Sequence, residues 1–443
     1  MLQSKGVKMG KEIKEEKCRK RGEEAKTAAV VETVQSPPPL LVKKLTVKRN
    51  YHTGIKNELI TLLHITGAIP YKDLRILRNP PTMYQRAVKQ MIEDEAVNLE
   101  KRAEQRVIYL RDVQKQNQKY LAYIDPQIVE YYLTFSNRNL WKISKSDRNG
   151  YIKALRDIEA QLIMYKSGSL IGPYAKDLSA ELIGEKEDSY YTSREIKRTV
   201  EYNAGRGKNT GINKKISSSR LNGFLVSSGG YYAIYNFSKK NMEWKRFSEL
   251  KMAMYLVNLI RNRSELENDA RMKREAILIS GNDKIFEQIC SLNYEKNRNY
   301  KVTLVNVDYA YDHMYAVPKD ENGILLLRML KTARWKYIIK NTMLRPEWIE
   351  DKTYISVPCD GYDREKDICM LVFCIPDLVL LKGFIARANL EENKEKFKIF
   401  CFSYQLPLLI SLCGTKNVKF MQTDINTYYK KYFSGSQDYD DSG

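Results

Sequence analysis

The 443-residue sequence carries 75 Lys and Arg against 54 Asp and Glu, a formal net charge of +21, which points to a polyanion as partner and leaves room for two or three domains. No stretch supplies the roughly 20 uninterrupted apolar residues of a spanning helix. The best, Leu371 to Ala386, is interrupted by Pro376, Asp377 and Lys382 and reads as a buried strand plus connector.

Met1 to Thr27 is a run of mixed charge rather than a basic start followed by an apolar core, so a cytoplasmic protein without a membrane partner is expected. Cysteines at 18, 290, 359, 369, 374, 401 and 413 form no CxxC pair, which predicts buried or idle thiols and neither a disulfide framework nor a zinc ribbon. His52, His64 and His313 stand far apart in sequence. A two-histidine metal nickase and a zinc hydrolase both need a His pair, so neither can be built from local sequence. No metal and no cofactor are expected.

Residues 1–50 are rich in Lys and Glu, then reach Ser36-Pro37-Pro38-Pro39, and read as a disordered basic arm. From Ile55 the pattern changes. Ile55, Leu59, Leu62 and Leu63 fall on one face of a helix, and Gly67 supplies its left-handed stop. Pro70 starts a second short helix with Leu74 and Leu77 on one side, and Arg78-Asn79-Pro80-Pro81 ends it.

A third helix is predicted from about Thr82 to Asp94, with Met83, Ala87, Val88, Met91 and Ile92 inward and Arg86, Lys89 and Gln90 outward. Val97-Asn98-Leu99 and Arg106 to Leu110 read as two short strands around a charged tip, Glu100 to Gln105. Three helices followed by a basic two-stranded ribbon make a winged helix-turn-helix over residues 51–112.

In such a module Arg86 and Lys89 suit phosphate and guanine-edge contact with double-stranded DNA in the major groove. Gln90 shares their face. Gln85 either joins them or closes a Thr82-x-x-Gln85 capping box. Lys101, Arg102 and Arg106 in the ribbon would reach the adjacent backbone or minor groove.

Residues 113–215 read as a helical connector. Helices are predicted at Pro126 to Phe135 and Asp147 to Tyr165, with a short one starting at Thr192. The stripe Tyr151, Leu155, Ile158, Leu162 and Tyr165 is expected to be intramolecular core, with a helix-mediated homodimer as the alternative. Gly205 to Gly211 fails as a phosphate loop, because Tyr202 stands where a glycine is required and Asn209 where Ser or Thr should ligate magnesium. It reads as a basic loop. Paired tyrosines at 131–132, 190–191, 231–232 and 428–429 are read as packing.

Residues 216–433 have the texture of an α/β domain, with an acidic tail at 434–443. Strands are predicted at Phe224 to Ser227 and Tyr231 to Tyr235 around Ser228-Gly229-Gly230, and at Ala276 to Ser280, Lys398 to Phe402 and Val418 to Gln422. Helices are predicted at Glu249 to Arg261, Asp283 to Cys290 and Leu406 to Leu412. The expected class is α+β or α/β, with a mixed sheet covered by helices.

Three stretches resemble the replication-relaxation family of plasmids and integrative elements. They are the turn Met83-Tyr84-Gln85-Arg86, the helix end from Gln161 to Gly168, and Ser219 to Leu225 running through Tyr235 to Trp244-Lys245-Arg246-Phe247. The resemblance implies a restriction-endonuclease-like core, in which Pro-Asp precedes one strand and an acidic pair ends the next. Here those places are Leu221-Asn222 and Ile234-Tyr235-Asn236, so each expected carboxylate is a neutral group.

A magnesium site needs anionic oxygens, and Asn amides do not replace two or three carboxylates. Asn222 and Asn236 are therefore expected either to brace the hairpin or to hydrogen-bond DNA. The expectation is a non-catalytic DNA-binding accessory protein of a plasmid or conjugative element, acting in replication, relaxation or transfer beside a relaxase or replication proteins. One alternative is a divergent metal-dependent nuclease or nickase using acids such as Asp308 or Asp377. Another is a winged-helix transcriptional regulator.

Overall fold

In a computed structural model, the structure describes residues 54–102, 105–111, 125–137, 140, 147–175, 188–204, 219–237, 246–261, 273–290, 310–390, 396–413 and 418–434. The basic arm, the 205–213 loop, Asp308 and residues 435–443 lie outside the described residues. No helix of the described residues is long and apolar enough to cross a membrane.

Helix α1 (Ile55–Thr66) buries Leu59, Leu62 and Leu63, and Gly67 ends it at φ 82° with its N–H on the Leu63 carbonyl. Only glycine adopts that left-handed cap without strain. Strand β1 (Ala68–Pro70) follows, then a 3-10 turn (Tyr71–Ile76) where a short α-helix was expected. Helix α2 (Pro81–Glu93) leads into β2 (Val97–Arg102) and β3 (Gln105–Leu110). The three strands form an antiparallel sheet in the order β1-β3-β2, with Ile69 opposite Ile108.

Helix α3 (Pro126–Thr134) packs on α1. The long helix α4 (Arg148–Lys166) starts from the Asp147 cap, whose Oδ1 accepts from Gly150 N at 2.9 Å. Its stripe of Tyr151, Leu155, Ile158 and Leu162 is buried within the chain, as the core reading expects. One flank of α4 meets β1 and the 3-10 turn, while the other meets β4 (Leu170–Ile171), β5 (Ser189–Thr192) and β7 (Gly230–Phe237).

After β5 comes α5 (Ser193–Ala204), and a hairpin joins β6 (Gly223–Ser227) to β7 through Ser228-Gly229. A Cβ at Gly229 would stand 2.1 Å from the Leu330 carbonyl oxygen, so the close approach there requires glycine. Helix α6 (Arg246–Arg261), β8 (Glu275–Ser280), α7 (Asp283–Cys290) and β9 (His313–Pro318) complete the second sheet. Its order is β4-β5-β6-β7-β8-β9, with β6 antiparallel to both neighbours and β7, β8 and β9 parallel. Alternation along the strands turns Leu225, Tyr232, Ile234 and Ile277 toward the core shared with α4. It turns Phe224, Ala233, Tyr235 and Leu278 toward α6 and α7.

Helices α8 (Glu321–Lys331), α9 (Trp335–Met343) and α10 (Pro346–Asp351) precede a four-stranded sheet, β10-β11-β12-β13. Its strands are Gly361–Asp363, Ile368–Val372, Phe397–Phe402 and Lys419–Thr423. Helices α11 (Leu378–Ala388), α12 (Leu406–Cys413) and α13 (Ile425–Tyr432) follow its last three strands in turn. The apolar run after Pro376 is thus the helix α11, not a connector, and Asp377 caps it by accepting from Val379 N. The molecule is mixed α+β, and residues 52–443 belong to one unit.

Candidate nucleic-acid interface

Two proline residues set the start of α2. Pro81 occupies its first turn, Pro80 precedes it in an extended conformation, and no side chain caps the helix. The Thr82-x-x-Gln85 capping box is therefore not formed, and Gln85 lies exposed. The buried face is Tyr84, Ala87, Val88 and Met91, at the i, i+3, i+4, i+7 spacing of a helix stripe. Met83 and Ile92, expected inward, are 43% and 38% exposed. Tyr84 takes the inner place because its hydroxyl donates to Glu58 Oε2 at 2.7 Å.

Glu58 on α1 joins three elements. Its other oxygen accepts from Tyr165 at the end of α4 at 2.9 Å, and Asn79 Nδ2 reaches Oε2 at 3.4 Å. The Arg78 guanidinium stacks over the Tyr165 ring at 4.5 Å. Burial, then the bond to Glu58, pushes the Tyr84 phenol up to about 12. Burial and the nearby Glu58 push Tyr165 up as well. Sequence reasoning missed this node, although Glu58 beside the apolar stripe of α1 was a signal that donors must reach it.

Outside, α2 presents Gln85, Arg86, Lys89 and Gln90, all exposed. Among the described residues, Arg86 and Lys89 make no ion pair or side-chain hydrogen bond, whereas other cations of the module are held. Lys56 lies 3.5 Å from Asp94, and Arg111 is 3.0 Å from Glu95. In the ribbon, exposed Lys101 stands directly opposite exposed Arg106, whose guanidinium is 5.8 Å from the Tyr71 ring centroid. Like charges opposed across strands repel, and an anion between them removes the penalty. Arg102 pairs through its backbone with Gln105, and its side chain lies outside the described residues.

The two asparagines at the expected acidic positions are buried and engaged inside the protein. Asn222 Nδ2 donates to Asp157 Oδ1 at 2.7 Å, and its Oδ1 accepts from Asn236 N at 2.7 Å. Asn236 Nδ2 donates to the Arg156 carbonyl at 2.9 Å and to Glu159 Oε2 at 3.0 Å. Lys319, at the end of β9, donates to the same Glu159 oxygen at 2.6 Å. They brace α4 against the β6–β7 hairpin.

Burial raises Asp157 to about 6 despite the opposing pull of Lys153 and of the Asn222 bond. Burial and the neighbouring Glu159 raise Asp73 of the 3-10 turn to about 7. Among the described residues, no three His, Cys, Asp or Glu side chains are grouped to hold a metal ion. Asp377, considered as a nuclease acid, is 2.6 Å from His313 Nδ1 and caps α11. The paired tyrosines are buried except Tyr231, which is half-buried. The chain matches no protein-family model, no curated protein and no solved structure at a significant level.

Proposed function

We propose that this protein binds double-stranded DNA without cleaving it, as an accessory factor in the replication, relaxation or transfer of a plasmid or conjugative element. In this reading residues 54–111 are a winged helix-turn-helix: α2 enters the major groove and the β2–β3 ribbon is the wing. The observation that carries it is the outer face of α2, where Arg86 and Lys89 stand exposed and unengaged beside Gln85 and Gln90. The opposed pair Lys101 and Arg106 supports a backbone contact by the wing.

The reading also rests on the resemblance to the replication-relaxation family. Residue 222 directly precedes β6 and residue 236 lies near the end of β7, the places where that family's core would carry acids. Their neutral amides favour binding over hydrolysis.

The test is fluorescence anisotropy with a duplex and the double variant Arg86→Ala/Lys89→Ala. Each lost base contact should cost about 1–3 kcal/mol, and the salt slope should flatten by roughly one unit per lost phosphate contact. Unchanged affinity and slope would refute the assignment of α2. Nicking of supercoiled plasmid that depends on a divalent ion would instead establish the nuclease alternative.

A further inference from the structure

Helix α2 holds a large apolar side chain on the face that points away from the core. Met83 is 43% exposed in the first turn, on the side of the helix that carries exposed Arg86 and Gln90 at i+3 and i+7. Ile92, the other large apolar residue exposed on α2, stands nine residues further on, about 180° around the helix. The two therefore share no patch, and the neighbours of Met83 on its own face are polar.

Two features fix which end of α2 meets a ligand. Pro80 is extended and Pro81 opens the helix, so its start is rigid and Met83 is held close to it. At the other end Glu93 is exposed on the same face as Arg86, seven residues later, and Asp94 and Glu95 follow. Carboxylates there would face the phosphates of a duplex, so the first two turns approach the base edges.

Among the groups that the bases present in the major groove, the apolar one is the 5-methyl of thymine. An apolar side chain laid on that methyl removes both from water. Methionine suits the task, because its unbranched thioether adapts to the surface it meets. At 1.5 Å per residue, Met83 and Arg86 are about 4.5 Å apart along the helix axis, and successive base pairs stand about 3.4 Å apart. We propose that Met83 reads the methyl group of a thymine within two base pairs of the guanine bound by Arg86. The inference rests on α2 being the recognition helix and adds a sequence requirement that its cations alone do not impose.

The experiment uses the full chain to enrich duplexes from a random-sequence library. The enriched duplex is remade with deoxyuridine in place of thymine at one position at a time, which removes the methyl group alone. Affinities for the parent and for Met83→Ala, checked for folding by circular dichroism, are read by fluorescence anisotropy. At one thymine near a guanine the parent should lose about fourfold, the worth of one methyl group taken out of water, while Met83→Ala binds the two duplexes alike. Equal affinity of the parent for every deoxyuridine duplex overturns the proposal. So does a penalty that persists undiminished in Met83→Ala, or a library from which no sequence is enriched. If Arg86→Ala/Lys89→Ala weakens binding while no deoxyuridine is felt, Met83 is not a reader and α2 keeps its role. If that double variant binds the duplex as the parent does, α2 is not the reading helix and the assignment of Met83 falls with it.

Discussion

On the outer face of α2, Arg86 and Lys89 stand in solvent with no protein partner among the described residues, whereas inside the molecule Glu58, Asp157, Glu159 and Glu249 each hold at least one donor. Glu249 serves three groups, Glu58 joins Tyr84 to Tyr165, and Asp157 and Glu159 tie the two asparagines to the long helix. Charged side chains thus do opposite jobs in the two places. Inside, a charge is fixed by geometry and its removal leaves buried donors exposed to no acceptor. Outside, a charge contributes little to the fold and remains available to a ligand.

The largest break in this contrast should come from Glu249→Ala, which leaves Ser219, Tyr235 and the Arg220 N–H without their acceptor. Loss of about 3–5 kcal/mol in urea denaturation is expected. A loss below about 1 kcal/mol would mean that water replaces the carboxylate and that the three donors do not depend on it.

Next comes Asp157, whose folded-state value near 6 exceeds the ordinary 3.8 because burial disfavours its charge. A raised carboxyl binds its proton more tightly when folded, so its contribution is full below about pH 4 and is lost as pH rises through about 6. Asp157→Asn should therefore gain on the parent by roughly 2.5 kcal/mol between pH 4 and pH 7.5, since each tenfold gain in proton affinity on folding corresponds to about 1.4 kcal/mol and part of the change lies below pH 4. Equal differences in denaturation midpoint at the two pH values would contradict the burial argument. Burial also raises Glu195 and Asp73 to about 7, so the parent should share the same downward slope over a wider range.

Tyr84→Phe removes the bond to Glu58 and the acceptor of Asn79 N and Nδ2 while retaining the ring, and a smaller loss of about 1–2 kcal/mol is expected. Because Tyr84 sets the rotation of α2, its duplex affinity should fall as well if the helix enters the groove. The smallest effect belongs to Arg86→Ala/Lys89→Ala, whose stability should stay within about 0.5 kcal/mol of the parent while DNA affinity drops. A clear loss of stability in that variant would make both side chains part of the fold rather than of a ligand site.

Periodicity was enough to place α1, because Ile55, Leu59, Leu62 and Leu63 repeat at helix spacing and Gly67 stops it. It also gave the outward phase of Arg86 and Lys89 and the limits of α7. It misplaced Met83 because an apolar residue at the edge of a stripe looks the same as one at its centre. Only the distant Glu58 decides that Tyr84 turns inward. Strand β1 has three residues and exists through its pairing with Val107 to Tyr109, which no local pattern announces. The run after Pro376 is apolar on nearly every side, so helix and strand periods could not be told apart there. The Glu58 node was invisible because it is made by the folding of segments remote in sequence.

Helix α4 gives one flank to β1 and the 3-10 turn and the other to the six-stranded sheet. A wall shared by two rooms cannot be assigned to either. A fragment cut after Leu110 would lose the surface on which its own interior rests, and the remainder would bare an apolar flank and aggregate. The N-terminal elements are therefore poor candidates for transplantation as a free-standing module.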